Sequence, residues 1–286
     1  MTKTDYDLLR SLLLMASVVE ARDPYTGGHL WRVSQMSHLL ANHLDLPEEQ
    51  QLRIKVGAYL HDLGKVSVSD AVLHKKSDLT DREFSEIKTH PMVGFNLVQQ
   101  HPLGGIVKFI IRHHHERLDG RGYPDNLNED AIDVGTKIVS ICDAFDAMTS
   151  TRPYRKNMPI DEAVERLNLE KGKQFDGKLV SAFQELCERG HLNKVVLHSA
   201  TDQSLLLCHE CGPTIIVDED NISHHKTYCR VCGGEYSVSN TAGIINVKFT
   251  GNLAGLDVLS PKPDILGVDK FISKLPSGSD FLQVVG

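Results

Sequence analysis

"PEEQQLRIKVGAYLHDLGKV", residues 47–66, opens on proline and two acids and closes on His61-Asp62-Leu63-Gly64-Lys65. Proline and acids at the head of an apolar-periodic run mark a helix start. The segment therefore predicts a helix that delivers His61 and Asp62 side by side. Neighbours on a helix point about 100° apart, so one site uses both when the helix runs along a metal-holding cleft. Imidazole with carboxylate suits Fe, Mn, Zn or Co. The two oxygens of Asp62 allow it to bridge two ions.

Working outward, residues 5–196 carry apolar residues at helical spacing and no alternating strand pattern. Leu8, Leu9, Leu12, Leu13, Ala16 and Val19 form one stripe, and Leu30, Val33, Ser37 and Leu40 another. Thr80 followed by Glu83 reads as a capping box. About eight helices are expected. Past His198 the pattern turns to short β-rich stretches separated by Gly, Pro and Asn. Two domains follow: a mainly α, all-helical bundle over residues 1–196, and a small β-rich domain with a C-terminal tail over residues 197–286. The boundary falls between about 192 and 204. The tail either packs on the small domain or trails from it.

Four further places offer metal ligands. His29 follows "YTGG", His90 sits in "THP", and "HHHERLDGRGYPDNL", residues 113–127, opens with three consecutive histidines. Asp143 and Asp146 are three apart, so they share a helix face. Apolar Ile138, Val139, Ile141, Phe145 and Met148 flank that face, and a carboxylate there needs a partner. Any one of these histidines alone reads as a surface or capping residue, and Asp143 alone as a buried ion-pair member. Several segments each offering His or Asp beside apolar residues read as a metal centre. Two ions sharing an aspartate make a site for phosphoester hydrolysis: they acidify a water, orient the phosphate and stabilise the leaving oxygen. No GxSxG elbow, Walker A loop or Rossmann fingerprint competes.

Cys208-x2-Cys211 and Cys229-x2-Cys232 stand 17 residues apart. Four thiolates in two such turns make a closed tetrahedral Zn site, with "CHEC" and "CRVC" as zinc-ribbon-like knuckles. Disulfides are the poorer reading in a chain without a secretory signal. Cys142 and Cys187 lie in helical patterns and read as buried hydrophobes. The module caps the bundle or makes a protein contact, including a homo-oligomer interface; the acids of "VDEDN" disfavour nucleic acid.

Net charge is −7 and pI about 6.1, which disfavours a general nucleic-acid surface. No apolar run reaches the roughly 18 residues of a membrane span, and the start "MTKTDYDLLR" is not a secretory signal. A cytoplasmic protein is expected.

"HDLGK", "HHERLDGRGYP" and "DAFDAMTSTRPYR" together resemble the HD-GYP family, bacterial metal-dependent phosphodiesterases of the HD superfamily that degrade cyclic di-GMP. The resemblance covers roughly residues 15–190. It implies an HD-type helical bundle holding two divalent transition metals, Fe or Mn foremost. His29, His61, Asp62 and Asp143 would hold one ion. Asp62, His90, His114 and His115 would hold the other, leaving His113 out. Asp62 and Lys65 are implied in catalysis, with Lys65 on a phosphate oxygen. Arg152 and Tyr154 would contact phosphate or base. Gly122, Tyr123 and Pro124 would form a cleft wall, a rigid turn or a docking surface, with Asp146 also on the substrate side. Glu116 and Asp119 read as supporting groups. Some members bind a third metal through a carboxylate near the first histidine; here Tyr25 stands a turn before His29, with Glu20 and Asp23 the nearest acids, which favours two ions, while Asp23 keeps a third ion open. The implied reaction is hydrolysis of cyclic di-GMP to the linear dinucleotide or GMP by a two-metal-activated hydroxide. The alternatives are a non-catalytic cyclic di-GMP receptor or scaffold, and an HD phosphohydrolase acting on another nucleotide.

Overall fold

The computed structural model describes residues 2–23, 27–75, 77–150, 158–196, 198–200, 203–242, 244–255 and 259–275. Arg152 and Tyr154, and Tyr25, lie outside the described residues. The helical part comprises α1 (Lys3–Ala21), α2 (His29–His43), α3 (Glu48–Leu60), a 3-10 turn (Leu63–Ser67), α4 (Asp70–Leu73), α5 (Asp81–Ile87), α6 (His90–Val98), α7 (Gly104–His113), α8 (Val134–Thr149), α9 (Ile160–Leu169), α10 (Gly177–Glu188) and α11 (Asn193–Val196). Among the described residues no helix is long and apolar enough to cross a membrane.

The bundle is built around α3. Its Ile54 and Ala58 join a core with Met36, Leu40, Ile138, Phe145 and Phe183. Its Val56, Tyr59 and Leu60 join a second core with Leu9, Leu12, Leu13, Val107 and Ile111. A helix apolar on two faces is a buried one, so α3 ends deep inside the molecule, where the site is. Thr80 caps α5 with Glu83 in a reciprocal box. The run from Thr80 to Val98 forms two helices, broken so that His90 and Pro91 start α6.

The small domain has two antiparallel sheets. One is ordered β1-β2-β3 (His198–Ala200, Gln203–Cys208, Gly212–Val217). After α12 (Glu219–Ser223), the other is β4-β5-β6 (Lys226–Tyr228, Gly234–Thr241, Ile244–Leu253). The Thr227 hydroxyl ties them by donating to the Ile216 carbonyl at 3.1 Å.

The chain then returns to the bundle. Helix α13 (Ile265–Ser273) places Val268, Phe271 and Ile272 in the second core, beside Leu9, Leu13 and Tyr59. Each such fully buried side chain contributes about 1.5–3 kcal/mol, which holds a nine-residue helix that would be marginal alone. Arg10 pairs with Asp269 at 2.5 Å, and Ser17 accepts the Asp264 N–H at 2.7 Å. This part of the tail thus neither trails nor joins the small domain. It belongs to the helical domain, because its apolar face completes the α1–α3 groove. The helical part and the strand-containing region meet around a cavity of about 440 Å³ lined by Glu20, Arg22, Trp31, Arg230 and Asp264.

Candidate metal centre

The helix expected to carry both His61 and Asp62 stops at Leu60. His61 is its C-cap, and Asp62, at φ −95° and ψ 5°, leads into the 3-10 turn. Both ligands therefore stand on a bend. Gly64 explains it: a Cβ there would collide with the His90 carbonyl oxygen and the Gly94 amide nitrogen. Without one, the bend presses backbone to backbone on α6. That approach brings His90 Nε2 to 3.3 Å from Asp62 Oδ1.

Two groups of donors result. His29 Nε2 is 3.3 Å from His61 Nε2, 3.5 Å from Asp62 Oδ2 and 3.4 Å from Asp143 Oδ1. His90 Nε2 is 3.1 Å from His114 Nε2, and the His115 ring lies 5.0 Å from that of His90. Asp62 gives one oxygen to each group. Donors about 2.1 Å from a common ion stand roughly 3.0–3.4 Å apart in octahedral or tetrahedral geometry. The separations fit a resident divalent ion in each half.

The ring orientations are fixed from behind. Nδ1 of His61, His90 and His114 faces the carbonyls of Ala58, Ile87 and Ile111 at 2.6, 2.7 and 2.8 Å. A carbonyl only accepts, so each Nδ1 carries the proton and each Nε2 keeps its lone pair for a metal. Burial lowers the His90 pKa to about 4 and pushes His114 and His115 well below the usual range. These three are neutral and ready to ligate.

His29 differs. Its Nδ1 faces Asp146 Oδ2 at 2.8 Å. Burial opposes its charge, but Asp146, Asp62 and Asp143 outweigh that and lift its pKa to about 9. Asp62 is itself opposed by burial, yet Lys65 and His61 hold its carboxyl well below the usual range.

Asp146, expected to meet substrate, faces inward. It is 1% exposed, and Arg32 donates to Oδ1 at 2.6 Å and to Oδ2 at 3.0 Å. A carboxylate so saturated orients His29 and has no oxygen left for the cleft. The sequence reading missed Arg32. Its signal was an arginine inside the apolar stripe of α2, three residues past His29, since arginine is almost never buried without a partner.

Lys65 Nζ lies 2.5 Å from Asp62 Oδ2 and is partly exposed. His113 turns away, to Asp125 Oδ2 at 2.9 Å. In the loop that follows, Gly122 does not line the cleft: it is buried, and a Cβ on it would collide with the Glu116 backbone. Tyr123 does border the site. Its ring packs on His115 at 4.8 Å, and its N–H donates to the His115 carbonyl at 3.3 Å. Pro124 beside it is half-buried. Glu116 accepts the Asp125 and Leu127 N–H groups at 2.6 and 3.0 Å, and Asp119 binds Arg117. Both acids hold the loop's shape. Glu20 spends Oε1 on the Leu30 N–H at 2.8 Å.

The four thiols of Cys208, Cys211, Cys229 and Cys232 lie within 4.8 Å of one another, and Cys208 Sγ is 3.7 Å from Cys232 Sγ. That is no disulfide, and it matches the tetrahedral edge of about 3.7 Å set by Zn–S bonds of about 2.3 Å. Burial opposes a Cys208 thiolate, but the Tyr236 hydroxyl at 3.1 Å and the N–H groups of Glu210 and Cys211 favour it.

An HD domain family model matches residues 14–179. The cyclic di-GMP phosphodiesterase response regulator RpfG of Xanthomonas campestris is 38% identical over 174 residues, 60% of this chain and 46% of that protein. A cyclic di-GMP phosphodiesterase of Thermotoga maritima is 35% identical over 187 residues, 64% of this chain and 51% of that protein. The 3'3'-cGAMP-specific phosphodiesterase 3 of Vibrio cholerae is 36% identical over 147 residues, 51% of this chain and 32% of that protein. The chain spans about half the length of the first two of these relatives.

Proposed function

This chain belongs to the HD domain family, and on that premise we propose that it is a metal-dependent phosphodiesterase that hydrolyses cyclic dinucleotides, cyclic di-GMP foremost. One observation carries the reading: Asp62 divides its two oxygens between two sets of buried imidazole and carboxylate donors. His29, His61, Asp62 and Asp143 would hold one ion, and Asp62, His90, His114 and His115 the other. Iron or manganese suits this mixed set. When bound, the ions supply an activated water and neutralise phosphate charge.

The chain's own residues do the rest. Asp62 fixes the spacing of the two halves. Lys65 holds a positive charge beside the shared carboxylate, in reach of a diester oxygen. Tyr123 walls the second half and excludes water from His115. The cysteine cluster takes structural zinc. Six unpaired cysteines suit a reducing compartment, and we place this chain in the cytoplasm.

The full chain loaded with Mn(II) or Fe(II) is expected to convert cyclic di-GMP to the linear dinucleotide or GMP, and Asp62→Ala to abolish this. Dinucleotide binding without turnover under any metal would instead establish the receptor reading.

A further inference from the structure

We infer that Lys88 and Phe84 form an outer subsite that takes the second phosphate and a base of the dinucleotide. The inference rests on the proposed phosphodiesterase function. The metal ligands and Lys65 serve a single diester, the one that is cut. A cyclic dinucleotide carries a second diester and two flat bases, and besides Arg152 and Tyr154, which lie outside the described residues, these call for a cation and an apolar face outside the metal centre.

Among the described residues, other cations around the site are already paired: Lys75 with Glu83, Arg112 with Asp125, and Arg117 with Asp119 and Glu170. Lys88 forms no ion pair with any described residue. Its Nζ stands 5.4 Å from the centre of the Tyr123 ring and 4.6 Å from that of Phe84. Tyr123 in turn lies on the ligand His115. A continuous ladder thus runs outward: His115, Tyr123, Lys88, Phe84. Two steps, of 4.8 and 5.4 Å, connect a metal ligand to a free ammonium. At its end Phe84 is 45% exposed, a large apolar ring facing solvent beside a cation. A purine stacks on such a ring, and a phosphate binds such a cation.

A helix-surface Lys–Phe pair four residues apart is common and needs no ligand. The contact with Tyr123 sets this pair apart, because that ring comes from a different loop and belongs to the catalytic wall. The backbone of Lys88 closes α5 and leads directly into the centre. Its N–H donates to the Phe84 carbonyl at 3.0 Å, and the next turn starts α6 with His90, whose Nδ1 donates to the Ile87 carbonyl. The cation is therefore placed by the same turn that places a metal ligand.

The test compares kcat/KM for cyclic di-GMP with that for bis(p-nitrophenyl) phosphate, a diester with no second phosphate, using the full chain loaded with Mn(II). Lys88→Gln is expected to lower the ratio of the two values roughly tenfold, mostly through KM for the dinucleotide. Lys88→Arg should restore most of it, and Phe84→Ala should lower it several-fold. Both side chains are exposed, so the variants are expected to fold and to carry the same metal content. A ratio unchanged in both Lys88→Gln and Phe84→Ala overturns the subsite and leaves the proposed function standing. A wild-type chain that cuts only the small diester overturns both.

Discussion

Asp146 stands directly behind His29, its Oδ2 2.8 Å from the ring Nδ1. The same carboxylate takes two hydrogen bonds from Arg32. It fixes the His29 ring and, with an ion bound, would strengthen Nε2 as a ligand without itself touching the metal. Asp146→Asn is expected to weaken metal binding in the His29 half by about 10–100-fold while the other half stays loaded. Metal analysis after dialysis should find close to one ion lost per chain. Retention of both ions at unchanged affinity would contradict this role.

The two halves should respond differently to pH. In the metal-free protein His29 is protonated below about 9, so an ion entering its half displaces a proton. Affinity there should rise about tenfold per pH unit up to that value and then level off. His90, with a pKa of about 4, is already neutral, and burial holds His114 and His115 well below the usual histidine range. Affinity in their half should be flat above about pH 5. Calorimetric titration with Mn(II) in buffers of different ionisation enthalpy should resolve one proton-releasing and one proton-silent ion. Two silent ions would refute the assignment.

Residue type and spacing made the candidate donors readable, and the fold brings them together. A histidine beside an aspartate, two adjacent histidines and an aspartate in an apolar helix are unusual enough to announce a metal. Approach between segments distant in the chain was not readable. Nothing local in "HDLGK" says that Gly64 lies against α6, so His61 and Asp62 read as helical. Asp143 and Asp146 share a face, yet one is partly buried at the donors and the other fully buried against Arg32. Only the packing of α2 on α8 separates their roles. The return of α13 to the bundle was equally hidden, because a short apolar helix fits any complementary groove.

Gly64 offers a sharp test of that packing. A methyl group there meets the backbone of His90 and Gly94, and backbone cannot step aside as a flexible side chain does. Gly64→Ala is expected to cost about 1–3 kcal/mol of stability and to widen the gap between Asp62 and His90. Urea denaturation should report the first effect. The second should appear as loss of the ion in the His90 half with the His29 half still loaded. A variant with wild-type stability and both ions bound would show that the contact is slack.

The cysteine module reaches the loop that leads into the first candidate ligand. Ile216 of β3 reaches to 3.4 Å from where a Cβ on Gly27 would stand, two residues before His29. Arg230, within the second knuckle, lines the inter-domain cavity with Glu20 and Asp264. The module's own core is only Cys208, Ile215, Val217, Cys229, Tyr236 and Val238, and a core that small needs its metal to persist. Cys208→Ser is therefore expected to release zinc, unfold β2 and β3, and withdraw Ile216 from the loop. Amide exchange over residues 27–31 should then speed up by about tenfold or more, and the His29 half should lose metal before the His90 half does. If zinc leaves while exchange and both ions stay as in the wild type, the module only covers the bundle and does not brace the first ligand.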